Sequence, residues 1–220
     1  MSSAEDWARG AEERVLDEAL RLAPAVGWTF TLVRKAAGAA GMALPEAELL
    51  LPNGGQDLAA LFARRVRTRL MARLADVDAA GLKIRERIRT GVQLWIEEVM
   101  REEPAARRWV GFLSLPQNLP LGVRLYWAAA DAIWRWAGDT ATDENHYSKR
   151  AILSGLLTST LAVRLSGSPS AAAKHLDRGI ETVMRYEKFK ARFKGKTWGS
   201  DFASALGRIR YGRERPVRAL

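Results

Sequence analysis

Leu-Pro-Gln-Asn-Leu-Pro at 115–120, a tryptophan-bearing segment, and then Ala-Gly-Asp-Thr-Ala-Thr-Asp-Glu-Asn-His-Tyr-Ser-Lys-Arg at 137–150 form the most informative stretch of the chain. Pro116 and Pro120 punctuate the start of a helix, because proline is tolerated in the first helical turn and not beyond it. From there Val123, Tyr126, Trp127, Ala130, Ile133, Trp134 and Ala137 recur at threes and fours, the period of one helical face. Gly138 is placed to end that helix. Asp139, Thr142 and Asp143 are suited to capping the next one, and Arg150 to pairing with a carboxylate. The period then resumes through Ile152, Leu153, Leu156, Leu157, Thr160 and Leu161.

The same pattern extends outward. Upstream, Val92, Trp95, Ile96, Val99 and Met100 make one stripe, with Trp109, Phe112 and Leu113 next. Near the start, Ser3 is an N-cap and Trp7, Ala11, Val15, Ala19 and Leu22 share a face, with a stop expected at 24–27. A helix over 29–37, a turn at 38–41, a short helix over 45–51 and a longer one over 56–77 follow. Further breaks are expected near Gly81, Pro104 and residues 166–170. Runs of β-branched residues are scarce, so the expected fold class is all-α.

Charge is unevenly spread over the 220 residues, whose net is +10. Residues 1–63 carry five basic and nine acidic side chains, a net of −4, whereas 187–220 carry ten and three, a net of +7. Such a tail seeks anionic surfaces. Within it Trp198, Phe202, Leu206 and Ile209 are spaced as one apolar stripe, flanked by Lys194, Lys196, Arg208 and Arg210. That design suits a helix lying in a bilayer interface, and equally one that packs back on the body.

Several classes of chemistry lack their residues. There is no cysteine, His146 and His175 are the only histidines, and no Glu-x-x-His pair occurs, which disfavours zinc and di-iron enzymes. Gly195-Lys196-Thr197 ends like a phosphate-binding loop, but Lys190 stands where its first glycine would be. No catalysis is assigned. No run reaches the roughly 18–20 apolar residues of a membrane span. Glu5, Asp6, Glu12 and Glu13 fit neither a secretory signal nor an Arg-rich presequence.

The segment 137–150 resembles a signature of the lipid-binding accessory proteins of coenzyme Q (ubiquinone) biosynthesis, through Ala137, Gly138, Asp139, Thr142, Asp143, Asn145, Tyr147, Lys149 and Arg150. Leu115, Pro116, Asn118 and Pro120, and Gly27-Trp28, agree with it, so the resemblance covers most of residues 15–190. It implies a TetR-repressor-like bundle with three parts: a degenerate helix-turn-helix module over 1–77, a lipid-binding and dimerisation body over 78–186, and a basic, amphipathic membrane-binding tail over 187–220. It also implies a protein that is not an enzyme and has no cofactor beyond a bound lipid or isoprenoid quinone, held in an elongated apolar pocket.

Pocket residues favoured among the stripes are Trp95, Met100, Phe112, Leu113, Trp134, Leu156, Leu157 and Leu161, which a packed core would also explain. By the resemblance, Asp143, Asn145, His146, Tyr147, Lys149 and Arg150 face a partner hydroxylase. His146 replaces the family's usual tryptophan, an aromatic anchor of the kind that dominates interfaces. The other implied partners are an isoprenoid lipid or phospholipid, an anionic membrane surface and a second copy in a homodimer. The expected location is the bacterial cytoplasm, at the periphery of the inner membrane.

The rival reading is a TetR-type transcriptional regulator with a hydrophobic effector. A groove-reading helix needs donors for bases and phosphates. Residues 42–57 contain Glu46, Glu48 and Asp57 and no Lys or Arg, so no specific DNA partner is expected. Arg64, Arg65, Arg67, Arg69 and Arg73, with Lys83, Arg85, Arg87 and Arg89, form either a DNA-facing surface or a solvated face.

Overall fold

Helical periodicity in the sequence becomes helix throughout the computed structural model, which describes residues 3–139 and 144–192. Among these residues there are nine α-helices and no strand: α1 (Ser3–Val26), α2 (Phe30–Ala39), α3 (Leu44–Leu50), α4 (Gly55–Ala75), α5 (Ile84–Met100), α6 (Glu103–Leu113), α7 (Leu119–Trp136), α8 (Glu144–Ser166) and α9 (Pro169–Arg192). A single 3₁₀ turn, Pro116–Asn118, leads into α7. The all-α class and the order expected of a TetR-like bundle are both present. Residues 193–220, including the tail stripe Trp198, Phe202, Leu206 and Ile209, lie outside the described part.

The N-terminal helices have local reasons for their ends. Thr29 caps α2 by accepting a hydrogen bond from Leu32 N. Glu46 reaches back to Ala43 N at the start of α3, and Asp57 accepts from Asn53 N at 2.7 Å at the start of α4. Two of the three acids in the would-be recognition segment are therefore committed to capping. The turn expected at 38–41 is shorter, since α2 continues through Gly38 and only Gly41 takes a left-handed backbone, at φ 72.

One apolar core runs through both the N-terminal helices and the body. It includes Ala11, Val15 and Ala19 of α1, Phe62 and Leu70 of α4, Val92, Trp95 and Val99 of α5, and Leu157 and Leu161 of α8. Two indole N–H groups tie its halves: Trp28 donates to Ala105 O at 3.1 Å, and Trp109 to Ala59 O at 3.1 Å. Around them Phe62 sits 5.7 Å from Trp28 and edge-on to Trp109 at 5.4 Å, spacings that favour aromatic pairs. Trp136 adds a bond to Leu74 O at 3.0 Å.

Two stripe residues are not where periodicity put them. Trp7, expected on the buried face of the first helix, is 56% exposed, and Val123 of α7 is 51% exposed. Val123 lies instead along a surface groove with Leu119, Tyr126 and Trp127. Periodicity reports which face a residue is on and not how far the opposing helix extends.

Most arginines of α4 and α5 are neither a free DNA surface nor merely solvated. Arg64 pairs with Glu12. Arg65, only 8% exposed, binds Glu13 and Asp17. Arg73 bridges Glu97 and the fully buried Glu98, Arg87 donates to Leu82 O and Ala137 O, and Arg89 pairs with Asp177 of α9. Cations held this way are unavailable to phosphates without breaking native bonds.

Candidate functional site

The site is built where α7 ends and α8 begins. Gly138 takes φ +92, a backbone that an L side chain rarely adopts. The chain reverses there, with Gly138 N bonded to Arg135 O and Asp139 N to Trp134 O. This turns the Asp139 side chain, 5% exposed, back under the helix end.

Arg150, 1% exposed, fills the space beneath. Its Nε donates to Asp131 Oδ1 at 2.6 Å and its Nη1 to Asp139 Oδ2 at 3.0 Å and His146 O at 3.2 Å. Lys149 Nζ donates to the other oxygen of Asp139 at 2.7 Å, and Arg135 closes on Asp131 at 2.9 Å. Burial alone would raise the Asp139 carboxyl, but the hydrogen bonds and charges of Lys149 and Arg150 outweigh it and hold Asp139 below the usual carboxylate range. Arg150 thus locks α7 to α8 from inside and does not present its guanidinium at the surface.

The lock also shapes a wall. Trp134 Nε1 donates to Lys149 O at 3.1 Å, and the Lys149 ammonium sits 5.4 Å from the Trp134 ring centroid. Beside that pair an apolar groove of about 170 Å³ opens between four helices. Ile84 and Ile88 come from α5, Trp134 from α7, Ile152, Leu153 and Leu156 from α8, and Ile180 and Val183 from α9. Its two cationic members are Arg85 and Lys149. On the other side of α8 a second groove of about 380 Å³ runs past Leu113, Leu119, Val123, Tyr126 and Trp127. Burial in its wall pushes the Tyr126 hydroxyl well above the usual phenol range.

Of the expected pocket residues, Trp134 and Leu156 line the first groove and Leu113 the second. Trp95, Leu157 and Leu161 are buried in the packed core, with Trp95 5.8 Å from Tyr126. Met100 and Phe112 pack against that core, partly covered. Ile84, Ile88, Ile180 and Val183 were not singled out by sequence, although their spacings of four and three mark short apolar edges. They were hidden in segments whose composition is dominated by charge.

Of the expected partner-facing residues, Tyr147 is half-buried, 6.2 Å from the Trp127 ring and edge-on to His146 at 5.2 Å. Lys149 is 36% exposed. Asp143, the capping residue Thr142 and the side chain of Asn145 lie outside the described residues, as do Lys194, Lys196, Arg208 and Arg210. Among the described residues no helix is long and apolar enough to cross a membrane, and no His, Cys, Asp or Glu group is arranged to hold a metal.

Comparison with known proteins places this geometry. The COQ9 family model matches residues 119–187, which run from the start of α7 into α9. The chain is 28% identical over 164 residues to the mitochondrial ubiquinone biosynthesis protein COQ9 of Xenopus tropicalis, covering 71% of this chain and 51% of that one. It is 28% identical over 167 residues to the Homo sapiens protein of the same name, with the same coverage. Against the probable mitochondrial coq9 protein of Dictyostelium discoideum it is 25% identical over 189 residues, covering 80% of this chain and 61% of that one. The chain spans about half the length of the curated vertebrate relatives it matches.

These relatives correct one expectation. They are eukaryotic proteins named as mitochondrial, which points to mitochondria and overturns the reading of a bacterial cytoplasmic protein at the inner membrane. That reading rested on the acids near the first residues, whose charge carries no information about the compartment in which the folded body works. The signature at 137–150 falls inside the matched region, and over residues 119–187 the chain is similar to the COQ9 family.

Proposed function

We propose that the chain is a non-enzymatic accessory protein of ubiquinone biosynthesis that binds isoprenoid quinone precursors or phospholipid and presents them to a membrane-associated quinone-ring hydroxylase. The observation that carries this reading is the groove between α5, α7, α8 and α9, apolar along its walls and cationic at Arg85 and Lys149. Its α7, α8 and α9 walls fall within residues 119–187, which match the COQ9 family model, and the relatives are named for ubiquinone biosynthesis. Apolar surface removed from water contributes about 25 cal/mol per Å², so a prenyl segment laid along these isoleucines and leucines needs no polar contact to be held. The half-buried Tyr147 and His146 beside it supply an aromatic surface of the kind that partners use, and the basic tail supplies attraction to an anionic membrane. No catalytic role is proposed for any residue.

The test is a charge placed in the groove wall. Ile152→Glu is expected to weaken binding of a prenylated benzoquinone to the purified protein by at least about tenfold, since a buried carboxylate must be desolvated beside the ligand. Ile152 is only partly covered, so the helical content should persist. Titration calorimetry with circular dichroism reads both, and unchanged affinity in a folded variant would remove the groove from the account.

A further inference from the structure

We infer that the groove is built for an amphiphile with one apolar chain and an anionic head, such as a carboxylate, phosphate or phenolate oxygen, and that Arg85 receives the head. This rests on the lipid-binding reading above and names the ligand class at the same site.

Three observations carry it. First, the neighbours of Arg85 are engaged while it is not. Arg87 is bonded to two carbonyl oxygens and Arg89 to Asp177, but Arg85 is exposed and makes no hydrogen bond or ion pair among the described residues. Second, Arg85 occupies the first turn of α5, where the helix dipole disfavours a cation. The acid beside it, Glu86, is turned back to bond Lys83 N at 2.8 Å. An unpaired guanidinium in that place becomes favourable when an anion joins it, and the free N–H groups of the helix start add to the attraction. Third, Lys149 lines the same groove with donors to spare. An ammonium has three N–H donors, and one of them goes to Asp139. That carboxylate is itself divided between Lys149 and Arg150, so it does not cancel the positive character of the groove lining.

The size of the groove sets the rest of the ligand class. At about 170 Å³ it is smaller than the roughly 300–1,000 Å³ of sites that enclose a whole drug-sized molecule. It therefore takes the head-proximal part of a chain, with the remainder lying along the open side.

The experiment compares matched heads on one chain. Decanoate, 1-decanol and inorganic phosphate are titrated calorimetrically into the full chain at constant ionic strength, below the micellar range. Decanoate is expected to bind about tenfold more tightly than decanol, the worth of one charge-assisted contact at a partly open site. Phosphate alone should bind more weakly than decanoate. Arg85→Gln should close the gap by weakening decanoate to the level of decanol, while Arg124→Gln, which removes an exposed arginine from α7, should leave it open.

Equal binding of decanoate and decanol to the unaltered protein would overturn the head-group assignment and leave the apolar groove standing. A gap that survives Arg85→Gln in a folded protein would also overturn it. Phosphate binding as tight as decanoate would show a plain anion site with no part for the chain, and would overturn the amphiphile assignment. Binding of none of the three would overturn the lipid-binding reading along with it.

Discussion

Arg150→Leu is expected to destabilise the protein by about 3–5 kcal/mol, the cost of removing one partner from a buried ion pair and leaving the other uncompensated. Asp139, with its side chain 5% exposed, would keep only Lys149, and Asp131 would keep only Arg135. For a chain of this length the melting temperature should fall on the order of 10 °C. The pH dependence separates this cause from lost packing. In the unaltered protein the Asp139 carboxyl lies below its unfolded value. Its contribution is therefore complete above the unfolded pKa of about 3.9 and is lost as pH falls through the folded one. In the variant, burial is less opposed and raises the carboxyl, so protonation relieves the orphaned charge. The difference in melting temperature between the two proteins should shrink between about pH 7 and pH 4. A difference that stays constant over that range would place the cost in packing and remove the ion-pair lock.

Trp109→Ala is expected to cost about 3–5 kcal/mol, in the range for deleting a large buried aromatic. Trp109 is 2% exposed, donates to Ala59 O of α4 and meets both Phe62 and Tyr126. It is a contact through which the N-terminal helices and the body share a core. The loss should appear in one transition, with circular dichroism and near-ultraviolet signals melting together. Two separated transitions would instead show that the N-terminal module is held independently of the body, and that the shared core contributes little to cooperativity.

The helices were legible because their information is local. Pro116, Pro120 and Gly138 act within a turn of where they stand, and the apolar period needs only the chain itself. The signature was legible as a pattern, but its physics was split between two readings that the structure separates by burial. Arg150 is internal and holds α7 to α8, whereas Tyr147 and Lys149 reach the surface. No sequence rule could have sorted them, because the carboxylates that bury Arg150 lie 11 and 19 residues away. The same holds for Arg65, which owes its burial to Glu13 and Asp17 on α1. The groove was only half visible for a related reason. Trp134 and Leu156 belong to long apolar stripes, but Ile84, Ile88, Ile180 and Val183 acquire meaning only when α5 and α9 are brought beside α8.

Those isoleucines and leucines carry the central claim, and the most direct measurement is the identity of whatever occupies them in the purified protein. Native mass spectrometry of the full chain, paired with organic extraction of the same sample, reads mass and stoichiometry together. The account calls for a prenylated quinone, one of its precursors or a phospholipid at near-stoichiometric yield, released when Ile152→Glu is introduced. A protein that carries no lipid, and that takes up none when purified in the presence of a prenylated benzoquinone, would contradict it.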